Sequence, residues 1–256
     1  MTAALSERPA ALALLRLAMG AAALGVWELL PRTGVVDPML LPPPSVVFPA
    51  LVTMLGRAPI RSDLLVTGAE IAVAFLISVP VGALIGVLLA EDERLGAIFN
   101  PLLFFLFGIP KSIFLPLFIL IMGIGFWQKV SFGIFSTVLI VILSAASAVR
   151  SVRPEHLTVA RSYGATRAQI IARVYIPSML PILLEALRIA IIFTFTAVIL
   201  AEMYASRTGI GHQIAGWGEN FMMPSLLAGV VALSVIAVVI NEAIRMIEHR
   251  CSAWRT

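Results

Sequence analysis

The chain has 256 residues, of which 60% are hydrophobic and only 12% charged, and its net charge is +4. Soluble domains carry about 25% charged residues, so this composition excludes a soluble protein and indicates an integral membrane protein. A span needs about 20 apolar residues to cross the hydrocarbon layer. Such runs predict an all-α protein with six transmembrane helices, at about 10–30, 64–90, 95–122, 130–149, 182–201 and 225–244.

The distribution of basic residues predicts the orientation of these spans. If both termini are cytoplasmic, twelve of the eighteen Lys and Arg residues lie on the inner side, five lie on the outer side, and Lys111 lies within a span. This asymmetry follows the positive-inside rule and accounts for most of the positive charge without a nucleic-acid partner. We therefore predict cytoplasmic tails at 1–9 and 251–256, on either side of a single transmembrane domain at 10–250.

The first run is predicted to be a retained span rather than a signal peptide, because it is too long and lacks a small-residue cleavage site. The segment 31–63 after it is the one sizeable external region. Its sequence LPPPS at Leu41–Ser45 predicts an extended entry into a helix that Ser45 caps. Because apolar residues follow, we expect this helix to lie on the outer membrane surface.

The second and fourth runs are predicted to pack within a helix bundle. Gly82 and Gly86 in the second run form a small-xxx-small pair, which permits close contact with a neighbouring helix. The fourth run begins near Gln128 and Lys129 and is otherwise uniformly apolar, which is typical of ordinary helix packing.

The third run contains Lys111 between Pro110 and Pro116. Each proline removes a backbone donor and bends or breaks the helix, and freed carbonyls at membrane depth are tolerated where they face protein or a watery cavity. A charge at this depth costs about 2.5–3.5 kcal/mol on insertion scales, so a functional role is the default interpretation. Two interpretations stay open: Lys111 lines a translocation pathway, or it pairs with a buried acid such as Glu202.

The polar segment 150–181 lies between two spans and is predicted to be a cytoplasmic loop. Gly164 interrupts the helical pattern of this loop, and Pro177 and Pro181 restart it before the next span, which predicts two short helices that meet at an angle. Apolar positions recur along it at helical spacing, so that one face needs cover from a partner or from lipid. These positions are Leu157, Ala160, Gly164, Ala168 and Ile171.

The fifth run ends at Ala201-Glu202-Met203 and leads into a glycine-rich stretch at Gly209-Ile210-Gly211. This stretch follows a membrane helix rather than a strand, so it is not a dinucleotide-binding fingerprint. We expect a short external or re-entrant element over the translocation path. No second ligand stands at a suitable spacing from His212, so no metal site is predicted.

The sequence also lacks the motifs of an enzyme. It contains no Gly-x-x-x-x-Gly-Lys-Ser/Thr stretch and no catalytic arrangement of nucleophile, base and carboxylate. We therefore predict a chain that is not itself catalytic and carries no cofactor. Any ATP and Mg²⁺ that drive transport must be bound by another subunit.

The loop carries a resemblance to a known family. Val159-Ala160, Gly164-Ala165 and Ile176-Pro177 resemble the EAA loop of bacterial binding-protein-dependent ABC importer permeases. In that family the loop docks into a groove on the cytoplasmic ATPase. The resemblance implies ATPase coupling by Thr158, Ala160, Gly164, Ala165, Ile176 and Pro177. Thr158 stands where the family usually has Glu, so the resemblance does not carry over any ion pair of that Glu.

The resemblance extends from about Leu41 to the C-terminus and is closest to the sulfonate, taurine and nitrate branch. In the third run Leu106, Pro110 and Pro116 match the family pattern, whereas Phe107 occupies the position of its Arg. Lys111, one helical turn later, keeps a positive charge near that position. The resemblance thus implies a pathway lined by Pro110, Lys111, Pro116 and Glu202.

By this resemblance the chain has the type I ABC importer transmembrane architecture and resides in the bacterial inner membrane. Two copies would form the pathway for a small anionic solute, with two ATPase subunits inside, a solute-binding protein outside and membrane lipid around them. The alternative is an ion-coupled secondary transporter or channel. Such proteins commonly show inverted repeats and several intramembrane charges, and the sequence has no matching broken halves.

Overall fold

The structure is a computed structural model that describes the backbone of residues 9–252 and the side chains of 12–246 except 167, 168 and 171. The predicted tails 1–9 and 251–256 fall almost entirely outside this part of the chain. Every regular element within it is helical. The α-helices are α1 (Pro9–Arg32), α2 (Pro44–Gly56), α3 (Ala58–Glu91), α4 (Glu93–Gly108), α5 (Leu115–Met122), α6 (Phe126–Arg150), α7 (Pro154–Ser162), α8 (Arg167–Ile170), α9 (Ile176–Tyr204), α10 (Ile210–Glu219) and α11 (Met223–Ser252).

Among the residues that the structure describes, five stretches are long and apolar enough to span a membrane as single helices: Leu12–Arg32, Ala58–Glu91, Phe126–Arg150, Ala172–Tyr204 and Met223–Met246. The run predicted as a span at 95–122 is different. There, α4 and the helical segment Lys111–Met122 are bent by 89° at a short break. Together these two pieces make a sixth span. The predicted all-α fold with six transmembrane helices is confirmed when this pair is counted as one.

The chain divides into two compact units, and the first holds the described residues up to Arg61 together with Gln213–Ala232. In this unit the carboxylate of Glu28 on α1 accepts hydrogen bonds from the amide and the hydroxyl of Ser45, at 3.0 and 2.7 Å. The prediction that Ser45 caps α2 is therefore wrong. Pro43 is the N-cap residue and the helix begins at Pro44, since a proline at this position loses only a donor that the helix leaves unpaired.

The second unit holds Ser62–His212 and the chain from Leu233 onward, and α6 is the span with the largest buried share. A Cβ atom on Gly82 would lie 2.7 Å from Val141 Cβ, and one on Gly86 would lie 2.4 Å from Ile142 O. Only glycine permits this approach of α3 to α6, so the predicted small-xxx-small contact is confirmed. The helices α6 and α9 also pack along each other.

A cluster of buried side chains fixes the loop after α6. Ala148, Val152 and Met179 form its centre, and Leu157 of α7 and Val174 pack against it. This cluster joins the last turn of α6 to the first turns of α9. The loop between them is thus part of the packed unit.

Candidate functional site

The segment 151–177 holds two helix-capping motifs in succession, one that ends α7 and one that begins α8. Gly164 has a φ of +72°. The amide of Gly164 donates to Arg161 O at 2.9 Å and that of Ala165 donates to Ala160 O at 3.0 Å, which together form a Schellman motif. Thr166 then begins the next helix: its hydroxyl accepts from Gln169 N, and its amide donates to Gln169 Oε1. This reciprocal pair is a capping box. The two motifs fix the turn between α7 and α8, and they confirm the predicted interruption at Gly164.

The two sides of α7 differ in burial. Leu157 and Ala160 are half-buried, whereas Val159 and Tyr163 are 55% and 89% exposed. The predicted apolar face is therefore divided: Leu157 and Ala160 are partly covered, and Gly164 is exposed. The side chains of Ala168 and Ile171 lie outside the described residues. An exposed tyrosine one helical turn from an exposed valine leaves an apolar patch open to a partner.

The remaining predicted coupling residues lie on or beside this segment. The exposed Thr158 donates its hydroxyl to Pro154 O at 3.1 Å, within its own helix. Ile176 and Pro177 begin α9 directly after a π-helical turn at Ile171–Tyr175, and Ile176 is 54% exposed. Pro181 does not restart a helix as predicted, because it lies inside α9.

The break in the third span is organised around Lys111. The α4 helix ends at Gly108, residues 109 and 110 are extended, and a 3₁₀ turn begins at Lys111. In a continuous helix the backbone amide of Lys111 would bond to Phe107 O. Here the side-chain ammonium replaces it, and Nζ donates to Phe107 O at 2.6 Å. The lysine therefore stabilises the negative end of the broken helix, where a cation is favourable.

A cavity of about 380 Å³ lies beside this break. Of the four predicted pathway residues, Pro110 and Lys111 line this cavity, whereas Pro116 and Glu202 do not. Pro116 lies in the first turn of α5. Lys111 Nζ also lies 4.3 Å from the centre of the Phe107 ring, at cation–π distance.

Glu202 belongs to a buried polar cluster, and the lysine beside it is Lys129. The ammonium of Lys129 is 2.5 Å from Glu70 Oε1 and 3.9 Å from Glu202 Oε1, and all three side chains are buried. It also donates to Ser206 Oγ at 3.1 Å and to Thr208 O at 3.2 Å. The predicted alternative of a Lys111–Glu202 pair is therefore wrong. Glu202 lies in the interior with Lys129 as its cationic neighbour.

The same cluster holds the glycine-rich stretch. The amide of Gly211 donates to Glu202 Oε2 at 2.8 Å, and that of Gly209 donates to Asp63 Oδ1 at 2.9 Å. Thr67 accepts from the Ile210 amide at 3.0 Å and donates to Glu202 Oε1 at 2.7 Å. Carboxylates and a hydroxyl thus satisfy the free amides at the start of α10. The short element expected after Glu202 is this helix, and its position over the translocation path stays a prediction.

Glycine is required at two positions of this stretch, because its backbone lies very close to Glu202. A Cβ on Gly209, whose φ is +104°, would lie 1.9 Å from Glu202 Oε1. A Cβ on Gly211 would lie 2.7 Å from Glu202 Cβ and 2.8 Å from Ile199 O. The stretch therefore lies against Glu202 at a distance that a larger residue cannot reach.

The interpretation of the fourth run as ordinary apolar packing missed Lys129. A usable signal was present: a lysine stands at the start of this run, Glu70 lies in the second run, and Glu202 directly follows the fifth. Because an unpaired charge inside a helix bundle is costly, such residues are expected to form ion pairs with each other. Lys129 is one of the five basic residues that the sequence analysis assigns to the outer side, and the structure buries it, with 1% of the residue exposed.

Comparison with known proteins identifies the family. The model of the family described as binding-protein-dependent transport system inner membrane component matches residues 78–252, well over half of the chain. The chain belongs to this permease family. It is a multi-pass inner-membrane component of an ABC importer, and ATP is hydrolysed by a separate subunit. Family membership also implies ATPase and solute-binding protein partners.

Three curated permeases illustrate the range of relatives. This permease is 28% identical over 236 residues to the taurine transport system permease protein TauC of Escherichia coli (strain K12), covering 90% of this chain and 86% of that protein. It is 26% identical over 230 residues to the formylaminopyrimidine transport permease protein ThiX of Halalkalibacterium halodurans, with coverages of 90% and 91%. The putative aliphatic sulfonates transport permease protein SsuC of Bacillus subtilis (strain 168) is 23% identical over 239 residues, with coverages of 93% and 87%.

Solved structures agree with the fold of this permease. A bacterial ABC transporter involved in the import of the acidic polysaccharide alginate has a chain with a TM-score of 0.66 and 17% identity, covering 93% of this chain and 95% of that one. The MetNI methionine ABC transporter in an inward-facing conformation gives a TM-score of 0.65 at 20% identity, with coverages of 73% and 93%. These likenesses confirm the type I importer transmembrane architecture.

Proposed function

We propose that two copies of this permease form the membrane pathway for a small organic anion of the sulfonate or carboxylate type. Each copy would dock its 150–181 loop on one of two ATPase subunits, which bind ATP and Mg²⁺, while a solute-binding protein delivers the solute from outside. The taurine and sulfonate permeases among the relatives support a solute that carries an anionic sulfonate group. Lys111, the one charged residue that lines the cavity beside the broken span, also favours a solute with a negative charge.

The observation that carries the coupling role is the construction of the loop. A Schellman motif followed by a capping box fixes the turn at Gly164, and Tyr163 beside it is 89% exposed. Large exposed aromatics on a rigid support are typical of interface anchors. Leu157 packs with the ends of α6 and α9, so a displacement of the loop by the ATPase would be transmitted directly to both helices.

We propose further that the loop and both termini face the cytoplasm. Six of the eighteen Lys and Arg residues lie in 150–188, as the positive-inside rule requires of an inner loop. The Lys129 cluster lies near the other end of α6, roughly 30 Å away at 1.5 Å per residue. Burial of Lys129 also removes it from the water-facing outer residues, which strengthens the asymmetry.

The docking proposal is tested with two substitutions of Gly164. Within the described chain no neighbouring atom lies within 4 Å of a Cβ built there, so inside the permease a substitution acts through the φ of +72°. Valine is strongly disfavoured in this conformation, whereas asparagine adopts it readily. We expect Gly164→Val to insert in the membrane but to lose uptake of taurine or an aliphatic sulfonate. We expect Gly164→Asn to keep most of it.

The measurement pairs uptake into proteoliposomes with ATPase activity of the purified complex, with and without solute-binding protein incubated with the same compounds. Coupled transport by Gly164→Val at the wild-type rate would contradict the role of the loop. Purification of the permease without any ATPase subunit would contradict the proposed assembly itself.

A further inference from the structure

The cavity beside the broken span has the side chains of a binding site. Lys111 and Ser112 from the break line it together with Ser136 of α6 and Thr196 of α9. The rings of Phe107, Phe132 and Phe193 form much of the remaining wall. No carboxylate is among the lining residues of the described chain, so the cavity carries one positive charge.

Ser136 gives independent evidence of a missing partner. It is only 4% exposed, and its Oγ has no hydrogen-bond partner among the described residues. Buried hydroxyl groups are almost always satisfied, so an unpaired one beside a cavity indicates a place where a ligand atom or a water belongs. Nearby on the same helix, Thr137 shows the usual situation, since its hydroxyl lies 2.8 Å from that of Thr194.

Lys111 keeps donors available for a ligand. Its ammonium has three N–H donors, and Phe107 O accepts one of them. The other two remain for a group in the cavity. Because an apolar wall excludes water, a charge-assisted hydrogen bond is stronger there than in solution. Three aromatic rings close to a lysine and a hydroxyl suit a molecule that has an anionic head and a compact apolar body.

The volume limits the size of that molecule. A cavity of 380 Å³ is near the lower end of the usual range of ligand pockets, about 300–1,000 Å³. It has room for about a dozen water-sized groups. Small organic anions fit within this space, whereas a polysaccharide or a peptide does not.

Resting on the importer function proposed above, we propose that this cavity is a transient binding site for the transported anion inside the membrane domain. Its ligand class is small alkyl or aryl sulfonates and carboxylates. Lys111 and Ser136 bind the anionic head, and the aromatic wall contacts the apolar body. The permease thus contributes its own selection for charge and shape, in addition to that of the solute-binding protein.

The test measures direct binding to the permease–ATPase complex in nanodiscs, without solute-binding protein. The probes are 1-pentanesulfonate, its neutral sulfonamide and inorganic sulfate. Binding of each probe is measured by saturation-transfer NMR. We expect saturable binding of pentanesulfonate and weaker binding of the sulfonamide and of sulfate. Lys111→Met should weaken pentanesulfonate binding by about tenfold or more, the effect of one hydrogen bond to a charged group. Lys111→Arg should restore most of it.

Three further variants separate binding from folding. Thr196→Trp fills the cavity from an exposed position and should abolish binding with Lys111 intact. Ser136→Ala should weaken binding and yet raise the melting temperature, because it removes a buried hydroxyl without a partner. Arg94→Met removes an exposed cation outside the cavity and should leave binding unchanged.

Equal affinities of wild type and Lys111→Met, or an equal signal from empty nanodiscs, would overturn the inference and indicate lipid-like association. Equal binding of the neutral sulfonamide would overturn the anion class. None of these results bears on the proposal that the loop docks on the ATPase, because the Gly164 variants test that proposal separately. Failure of an ATPase subunit to co-purify, measured before any probe is added, would contradict the importer function instead.

Discussion

Lys129 and Lys111 are both lysines in apolar spans, but their surroundings are opposite. Lys129 is 1% exposed, with Glu70, Glu202, Ser206 and the carbonyl of Thr208 around its ammonium. Lys111 is half-buried, donates to one carbonyl at the end of α4 and lines a cavity. A charge enclosed by protein groups fixes one arrangement of helices, whereas a charge at a cavity wall keeps donors for a ligand. The same residue type therefore supports structure in one region and binding in the other.

The largest expected difference comes from neutralising each lysine in turn. Lys129→Met leaves Glu70 and Glu202 buried without their cation, and breaking a buried pair in this way costs about 3–5 kcal/mol. We expect a large fall in the melting temperature and yield of the purified complex. Lys111→Met provides the matched control. Equal losses in the two variants would contradict the distinction between the lysines.

The next effect concerns the glycine that lies against Glu202. Gly209→Ala places a Cβ on the carboxylate at a φ of +104°, and we expect a loss of roughly 2–4 kcal/mol from strain and overpacking. Gly216→Ala is the control, because a Cβ there meets nothing within 4 Å and lies within α10. The control should be neutral or slightly stabilising. Thermal unfolding of both variants decides the point, and a harmless Gly209→Ala would mean that the stretch is not held against Glu202.

The two acids of the cluster should respond differently to removal of their charge. Glu202 accepts hydrogen bonds from Thr67 and Gly211, so Glu202→Gln turns an amide NH₂ toward one of these donors and should cost about 1–3 kcal/mol. Glu70 Oε2 has no partner among the described residues, and Glu70→Gln also removes a negative charge near Glu202. We expect a cost below about 1 kcal/mol for Glu70→Gln. Paired melting curves test this order, and the reverse order would show that Glu70 is the main anchor of Lys129.

Local patterns in the sequence predicted the local parts of this structure. The interruption at Gly164, the close contact at Gly82 and Gly86 and the break after Gly108 each depend on residues close together in the chain. A positive φ, a small-residue pair and a proline at a break are visible without knowledge of the fold. The predicted positions of these features therefore agree with the structure.

Long-range polar contacts could not be predicted in the same way. Lys129 bonds to residues about 60 positions earlier and 77 later in the chain, and hydropathy does not say which acid a buried lysine meets. The sequence pattern favours Lys111 as the partner of Glu202, because Lys111 lies at a proline-flanked and more conspicuous site. The prediction of Ser45 as a cap failed for a similar reason, because Glu28 on the preceding helix competes for its hydroxyl. Charge pairing between helices depends on packing, which a single sequence does not contain.

Lys111→Met should have a small effect on stability and a large effect on uptake, which is the opposite of the effect expected at Lys129. The variant loses one hydrogen bond at the C-terminal end of α4, where a cation contributes about 0.3–1 kcal/mol. Its melting temperature should therefore stay close to that of the wild type, while uptake of taurine or pentanesulfonate falls by about tenfold or more, as one lost hydrogen bond to a charged group predicts. Lys111→Arg keeps the charge and should recover much of the uptake. A variant with normal uptake and a low melting temperature would show that Lys111 is only a helix cap, and that both lysines serve structure alone.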